Sequence, residues 1–183
     1  MSIDPITCGT APLVQIVHPA IRIELAYATT QNFTGHILYP DTRAHLRPEA
    51  ADALFRAADS FAAMDLHLVL LDAFRPPEVQ RALWAMRPDP EFVADPAIGS
   101  DHSRGVAVDV TLADAKGRLD MGTEFDAALP QSHHDRTDIS AEATGNRAIL
   151  RQIMAKAGFD ANPFEWWHYA LAGALRYPIL QVA

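Results

Sequence analysis

An α+β fold is predicted for this chain, as a single domain over residues 1–183 with a mainly antiparallel central sheet flanked by helices. Three observations predict it. Strand-like and helix-like stretches are intermixed without the regular alternation of a doubly wound sheet. A length of 183 residues suffices for one substantial core and is short for two full-sized domains. Hydrophobic residues make up 49% and charged residues 21%, the balance of an ordinary globular chain.

The elements follow in order. "IRIELAYA", Ile21 to Ala28, begins with the alternation of a half-buried strand, and "TTQNFTG" after it reads as a turn or loop. From Pro48, a residue suited to a first helical turn, Ala51, Leu54, Phe55, Ala58, Phe61 and Ala62 fall on one helical face. "HLVLLDAF", His67 to Phe74, has the length and apolar character of a strand, and "PPEVQRALWAM" starts a second helix, which places Arg75 at a strand-to-helix junction. Three prolines in "RPDPEFVADPAIGS" mark a surface loop over Arg87 to Ser100. In "VAVDVTL", Val106, Val108, Val110 and Leu112 share one strand face, with Ala107, Asp109 and Thr111 on the other. Ser140 caps a helix whose buried side is Ile149, Leu150, Ile153, Met154 and Ala157 and which Gly158 stops. "PFEWWHYALAG" is aromatic-rich and expected to be extended after Pro163.

Composition excludes several functions. A formal net charge of −8 offers no basic footprint for phosphate contacts, so nucleic acid is not an expected partner. The single cysteine, Cys8, has no partner for an intramolecular disulfide and no neighbour that activates a thiolate. No apolar run is long enough for a membrane span, and the first residues lack the charged and apolar regions of an export signal, which places the chain in the cytoplasm.

Two clusters carry candidate chemistry. His102 and Asp109 are seven residues apart, which on a regular strand means opposite faces; a loop or bulge at Gly105 brings both to one side. The plainer alternative is a solvated His102 and an Asp109 bonded to backbone or to Arg104. In "EWWHY", Glu165 and His168 stand between large aromatic residues, where an unpartnered carboxylate is costly. Two histidines and a carboxylate supply the three protein ligands of a catalytic zinc site, with Glu165 left over as a base; an aromatic core strand with its polar residues at the solvent edge is the alternative. Arg75 is either an oxyanion donor or the structural ion-pair partner of Asp72. His133 and His134 are read as surface residues, and His18, His36, His45 and His67 have no matching partners.

The pattern S-x-H-x-x-G-x-A-x-D through Ser100, His102, Gly105, Ala107 and Asp109, followed by E-x-x-H at Glu165 and His168, resembles the zinc D-alanyl-D-alanine dipeptidases of the vancomycin-resistance type. "YATTQNFTG", "DAFRP", "MGTEFD" and "SHH" extend the resemblance over most of the chain. It implies one Zn²⁺ per chain, in a surface cleft, held by His102, Asp109 and His168. It further implies Glu165 as general base, Arg75 as transition-state stabiliser, and Ser100 and Asp126 as acceptors for the substrate's ammonium. The implied substrate is a small dipeptide with a free N-terminus. Phe74 stands where that family usually has a tyrosine. Two other readings use the same residues: a D,D- or L,D-carboxypeptidase on peptidoglycan stem peptides, and a non-catalytic zinc-containing binding module. The oligomeric state is left open.

Overall fold

The computed structural model describes residues 7–8 and 11–180; the start of the segment read above for an export signal lies outside them. Among the described residues the strands are β1 (Thr7–Cys8), β2 (Ala11–Pro12), β3 (Val14–Gln15), β4 (Ile21–Ile23), β5 (His45–Leu46), β6 (His67–Asp72), β7 (Ala107–Ala113), β8 (Phe159–Ala161) and β9 (His168–Leu171). The helices are α1 (Pro48–Ala62), α2 (Pro77–Met86) and α3 (Ala141–Ala157). Five strands form the central sheet in the order β4-β6-β7-β9-β8; β4 pairs with β6 in parallel and every other pairing is antiparallel, as expected. β1 with β2 and β3 with β5 make two small antiparallel ladders beside it.

Cross-strand partners share a sheet face. Leu68 with Leu112 and Leu70 with Val110 face the core built with Leu54, Phe61, Leu150 and Met154 of α1 and α3. Val69, Leu71 and Ala113 gather on the other side with Phe125. Because loops cover this second face too, β7 is buried at all seven positions instead of being buried on alternate residues.

The predicted strand at Ile21–Ala28 ends at Ile23, because the chain turns through a 3-10 helix at Ala26–Ala28 that drives Tyr27 into the core at 1% exposure. The run from His67 stops as strand at Asp72, whose side chain is engaged locally instead of continuing the ladder. In α1 the buried stripe is Ala50, Ala51, Ala53, Leu54, Ala57, Ala58 and Phe61; Phe55 is only half-buried and Ala62 is exposed. Pro163 to Trp167 is turn-like, so the extended segment begins at His168, and β8 pairs with β9 where no strand was foreseen. The loop between α2 and residue 100 holds no regular element, as its prolines predict.

α3 matches its reading at both ends. Ser140 Oγ accepts the Ala143 N–H at 2.9 Å, and Gly158 takes a left-handed conformation (φ 105°) as the stop. Ser140→Ala is expected to lower the unfolding free energy by about 1 kcal/mol, seen in denaturant melts as a lower midpoint with unchanged slope.

Candidate active site

Backbone pairing does much of the assembly. Asp109 lies directly opposite His168 across β7 and β9, and a register shift between Leu70 and Asp72 sets Asp72 opposite Asp109 on the other side. His102 arrives from outside the sheet. It opens a 3-10 turn at His102–Arg104 that ends on Gly105 in the left-handed conformation (φ 74°). A Cβ at Gly105 would also stand 3.1 Å from Leu13 Cδ2 and 3.2 Å from Leu180 Cδ1, so position 105 is constrained in both conformation and space.

His102 Nε2, Asp109 Oδ1 and His168 Nδ1 converge. Nε2 is 3.2 Å from Oδ1 and 3.1 Å from His168 Nδ1, which is 3.0 Å from Oδ1. At its other nitrogen, His102 Nδ1 donates to the Ala73 carbonyl at 2.8 Å. That bond fixes the neutral tautomer and aims the Nε2 lone pair at a carboxylate oxygen. The three atoms lie close enough to one another to hold a metal ion, and a set of two imidazoles and one carboxylate fits the preference of a zinc-type divalent ion. Without a metal, burial opposes ionisation of both partners, yet Asp109 raises the His102 imidazolium above its ordinary value and His102 and His168 hold the Asp109 carboxyl well below its own, the pattern of a hydrogen-bonded ion pair.

Arg75 joins this group. Its Nε and Nη2 donate to Asp72 Oδ2 at 2.9 and 2.6 Å, Nη1 donates to Gln80 Oε1 at 2.8 Å, and Nη2 lies 3.7 Å from Asp109 Oδ2. The Asp72 ion pair therefore exists, and it holds the guanidinium against the metal-type cluster. Asp109 does not pair with Arg104, which instead meets Asp101, Ile98 and Tyr177. Glu165 is buried and accepts from Asn162 Nδ2 at 2.7 Å; burial first, then the nearby Asp109 and Asp126 charges, push its carboxyl well above the usual range. Asp126 is half-buried by surface area but enclosed by the cleft wall, and burial pushes its carboxyl up to about 7 although the Tyr27 hydroxyl donates to it at 2.7 Å.

His102, Asp109, His168, Arg75, Glu165, Ser100 and Asp126 all line one cleft of about 230 Å³, roofed by Pro90 to Ala94. A larger groove of about 770 Å³ runs past Glu24, Phe33 and Arg118 without any histidine, so the chemistry sits in the smaller cleft. His133, 2.9 Å from Glu91, and His134 are both half-buried and line a separate groove with Arg151 and Phe164. Phe74 packs on Leu13 and Leu180 and is not part of the cleft lining, so the missing tyrosine hydroxyl leaves the cleft unchanged. Tyr27, Gln80, Asn162 and the Ala73 carbonyl were not singled out from sequence, because only the fold discloses their contacts. The "DAFRP" stretch does contain Asp72 and Ala73, three and two residues before Arg75.

The profile of a peptidase M15 family described as D-ala-D-ala dipeptidase matches residues 7–182. The chain is 40% identical over 166 residues to a D-alanyl-D-alanine dipeptidase of Escherichia coli K12, covering 90% of this chain and 86% of that one. It is 34% identical over 185 residues to a D-alanyl-D-alanine dipeptidase of Enterococcus faecium, covering 89% and 91%. Among solved structures, the LdcB LD-carboxypeptidase aligns with 71% of this chain and 60% of its own at 22% identity and a TM-score of 0.47. A VanY D,D-pentapeptidase variant in complex with Zn(II) aligns with 75% and 78% at 15% identity and a TM-score of 0.43.

Zinc added to metal-stripped protein is expected to raise its melting temperature in a concentration-dependent way, and Asp109→Ala to abolish the shift, as followed by scanning calorimetry. A second expectation concerns Asp126 in the metal-stripped state. Between its ordinary value and about 7, the folded chain keeps a proton that the unfolded chain has lost, so stability falls as pH rises through that window. Denaturant melts across pH should show Asp126→Asn flattening this fall.

Proposed function

Because the chain belongs to the M15 peptidase family of D-Ala-D-Ala dipeptidases, we propose that it hydrolyses D-alanyl-D-alanine to two D-alanines, with His102, Asp109 and His168 holding one zinc ion per chain. It is a peptidase, and its catalytic domain is taken to span 1–183. The observation that carries the reading is the presence of a buried Glu165 and a buried Arg75 in the same cleft as the two imidazoles and Asp109. Zinc, when bound, polarises the scissile carbonyl and acidifies a water molecule.

The remaining steps fall to side chains. Glu165 removes the proton from the attacking water and hands it to the leaving amine. A raised proton affinity makes the ionised Glu165 a stronger base than a solvent-exposed carboxylate. Arg75 already spends its Nε, one Nη1 hydrogen and one Nη2 hydrogen on Gln80 and Asp72, and the remaining N–H groups face the developing oxyanion without reorganisation. Asp126 accepts the substrate's ammonium, with the Tyr27 hydroxyl steadying one of its oxygens. Ser100 Oγ takes the His102 N–H at 3.2 Å with one lone pair and keeps the other for the same ammonium. A cleft of about 230 Å³ is smaller than ordinary ligand pockets, which favours a short substrate.

The test is release of D-alanine from D-Ala-D-Ala by zinc-loaded protein, beside N-acetyl-D-Ala-D-Ala and a chelated sample. Chelator-sensitive cleavage of the free dipeptide alone is expected, whereas preferred cleavage of the acetylated substrate points to a carboxypeptidase. Glu165→Gln should lower kcat by about 10²–10⁴ while the zinc content measured by mass spectrometry stays at one per chain; near-normal turnover would refute its role as base.

A further inference from the structure

Asp126 stands in an uncommon backbone state. Its φ is +59°, a left-handed value uncommon outside glycine and shared here only by the exposed Asp65 among the described non-glycine residues. The segment from Met121 to His133 that carries it has no strand and only the short 3-10 turn at Pro130–Ser132, so side-chain anchors add to a few backbone turn bonds in holding its shape.

The chief anchor lies on α3. Arg147 is buried, at 3% exposure, and its guanidinium donates to three backbone carbonyls: Met121 at 2.7 Å through Nε, His133 at 3.0 Å through Nη1 and Gln131 at 2.9 Å through Nη2. These carbonyls mark both ends of the segment. Arg147 also lies over the Trp166 ring, 5.8 Å from its centroid. Trp166 Nε1 donates to Thr123 Oγ1 at 2.8 Å, Thr123 meets Ser132 Oγ at 3.1 Å, and Ser132 Oγ donates to the Ala127 carbonyl at 2.6 Å, one residue past Asp126. All three of the Arg147 hydrogen bonds go to neutral carbonyls. Burying a cation without a carboxylate partner is costly, and a hydrophobic side chain would fill the same space without that cost. What only a guanidinium supplies is a planar fork that ties several carbonyls at once.

We propose that Arg147 is a positioning residue for substrate binding, clasping the Met121–His133 segment so that the Asp126 carboxylate is presented to the ammonium of the dipeptide. The proposal rests on the ammonium-binding role of Asp126 given above. Arg147 does not line the cleft and touches neither the metal-type cluster nor Glu165, so its loss acts on recognition and leaves the chemical groups in place.

The experiment compares Arg147→Lys and Arg147→Met with Asp126→Asn and with Ala148→Gly, a substitution at an exposed position of the same helix that weakens α3 and touches nothing else. Steady-state kinetics on D-Ala-D-Ala are measured on zinc-loaded protein with metal content determined. Expected is a KM raised roughly tenfold in Arg147→Met and less in Arg147→Lys, with kcat changed far less and zinc at one per chain. Asp126→Asn should show the same split, and Ala148→Gly wild-type KM. Lysine keeps a donor for one carbonyl, so Arg147→Lys preserves the test where Arg147→Met does not fold. A raised KM in Asp126→Asn with wild-type KM in Arg147→Lys overturns the proposal alone. Unchanged KM in Asp126→Asn overturns the ammonium reading and the proposal with it. A fall in kcat at constant KM that tracks the folded fraction assigns Arg147 a purely structural role and also overturns it.

Discussion

The pairing of Asp109 with His168 across the middle of the sheet is the constraint around which the cleft is organised. Two strands that are hydrogen-bonded neighbours cannot drift relative to one another without breaking the ladder, so two members of the metal-type cluster are set by backbone geometry. The third, His102, is tied to the same sheet through the Ala73 carbonyl, immediately beyond the end of β6. A left-handed Gly105 reconciles the odd spacing of His102 and Asp109 with a common side. The cluster is thus tied to the central sheet, while Asp126 and the residues from Pro90 to Ala94 reach the cleft from loops.

Buried charge is the cost of this arrangement. Asp72 and Asp109 are cross-strand neighbours, and like charges so placed are destabilising unless neutralised. Arg75 meets both: it holds Asp72 by two hydrogen bonds and sits within 3.7 Å of Asp109, while the Tyr39 hydroxyl caps the other Asp72 oxygen at 2.5 Å. Burial, and after it the charges of neighbouring carboxylates that one guanidinium does not fully offset, makes Glu165 and Asp126 hold protons more tightly than usual.

Much of this was legible in the sequence because it rests on short-range signals. Pro48, Ser140 and Gly158 delimit helices by their own backbone chemistry, and the S-x-H-x-x-G-x-A-x-D spacing encodes the turn and strand that juxtapose His102 and Asp109. What local patterns do not carry is tertiary satisfaction. The early end of the first sheet strand follows from Tyr27 reaching Asp126, ninety-nine residues away, and the buried outer face of β7 follows from loops folding over it. Gln80 reads as an unremarkable helix residue, yet it connects Arg75 to the Ala94 carbonyl of the cleft roof. Of the two readings of Arg75, the ion pair with Asp72 is present, and it fixes the guanidinium beside Asp109.

The separation of the ligands along the chain has a consequence for how the protein comes into being. His168 follows His102 by 66 residues, and it reaches the cluster only as part of β9, the strand between β7 and β8. A nascent chain that has exposed only His102 and Asp109 has two weak donors and no site. A metal ion held by all three side chains, as proposed above, is therefore captured only once β9 has docked, as a late step of folding.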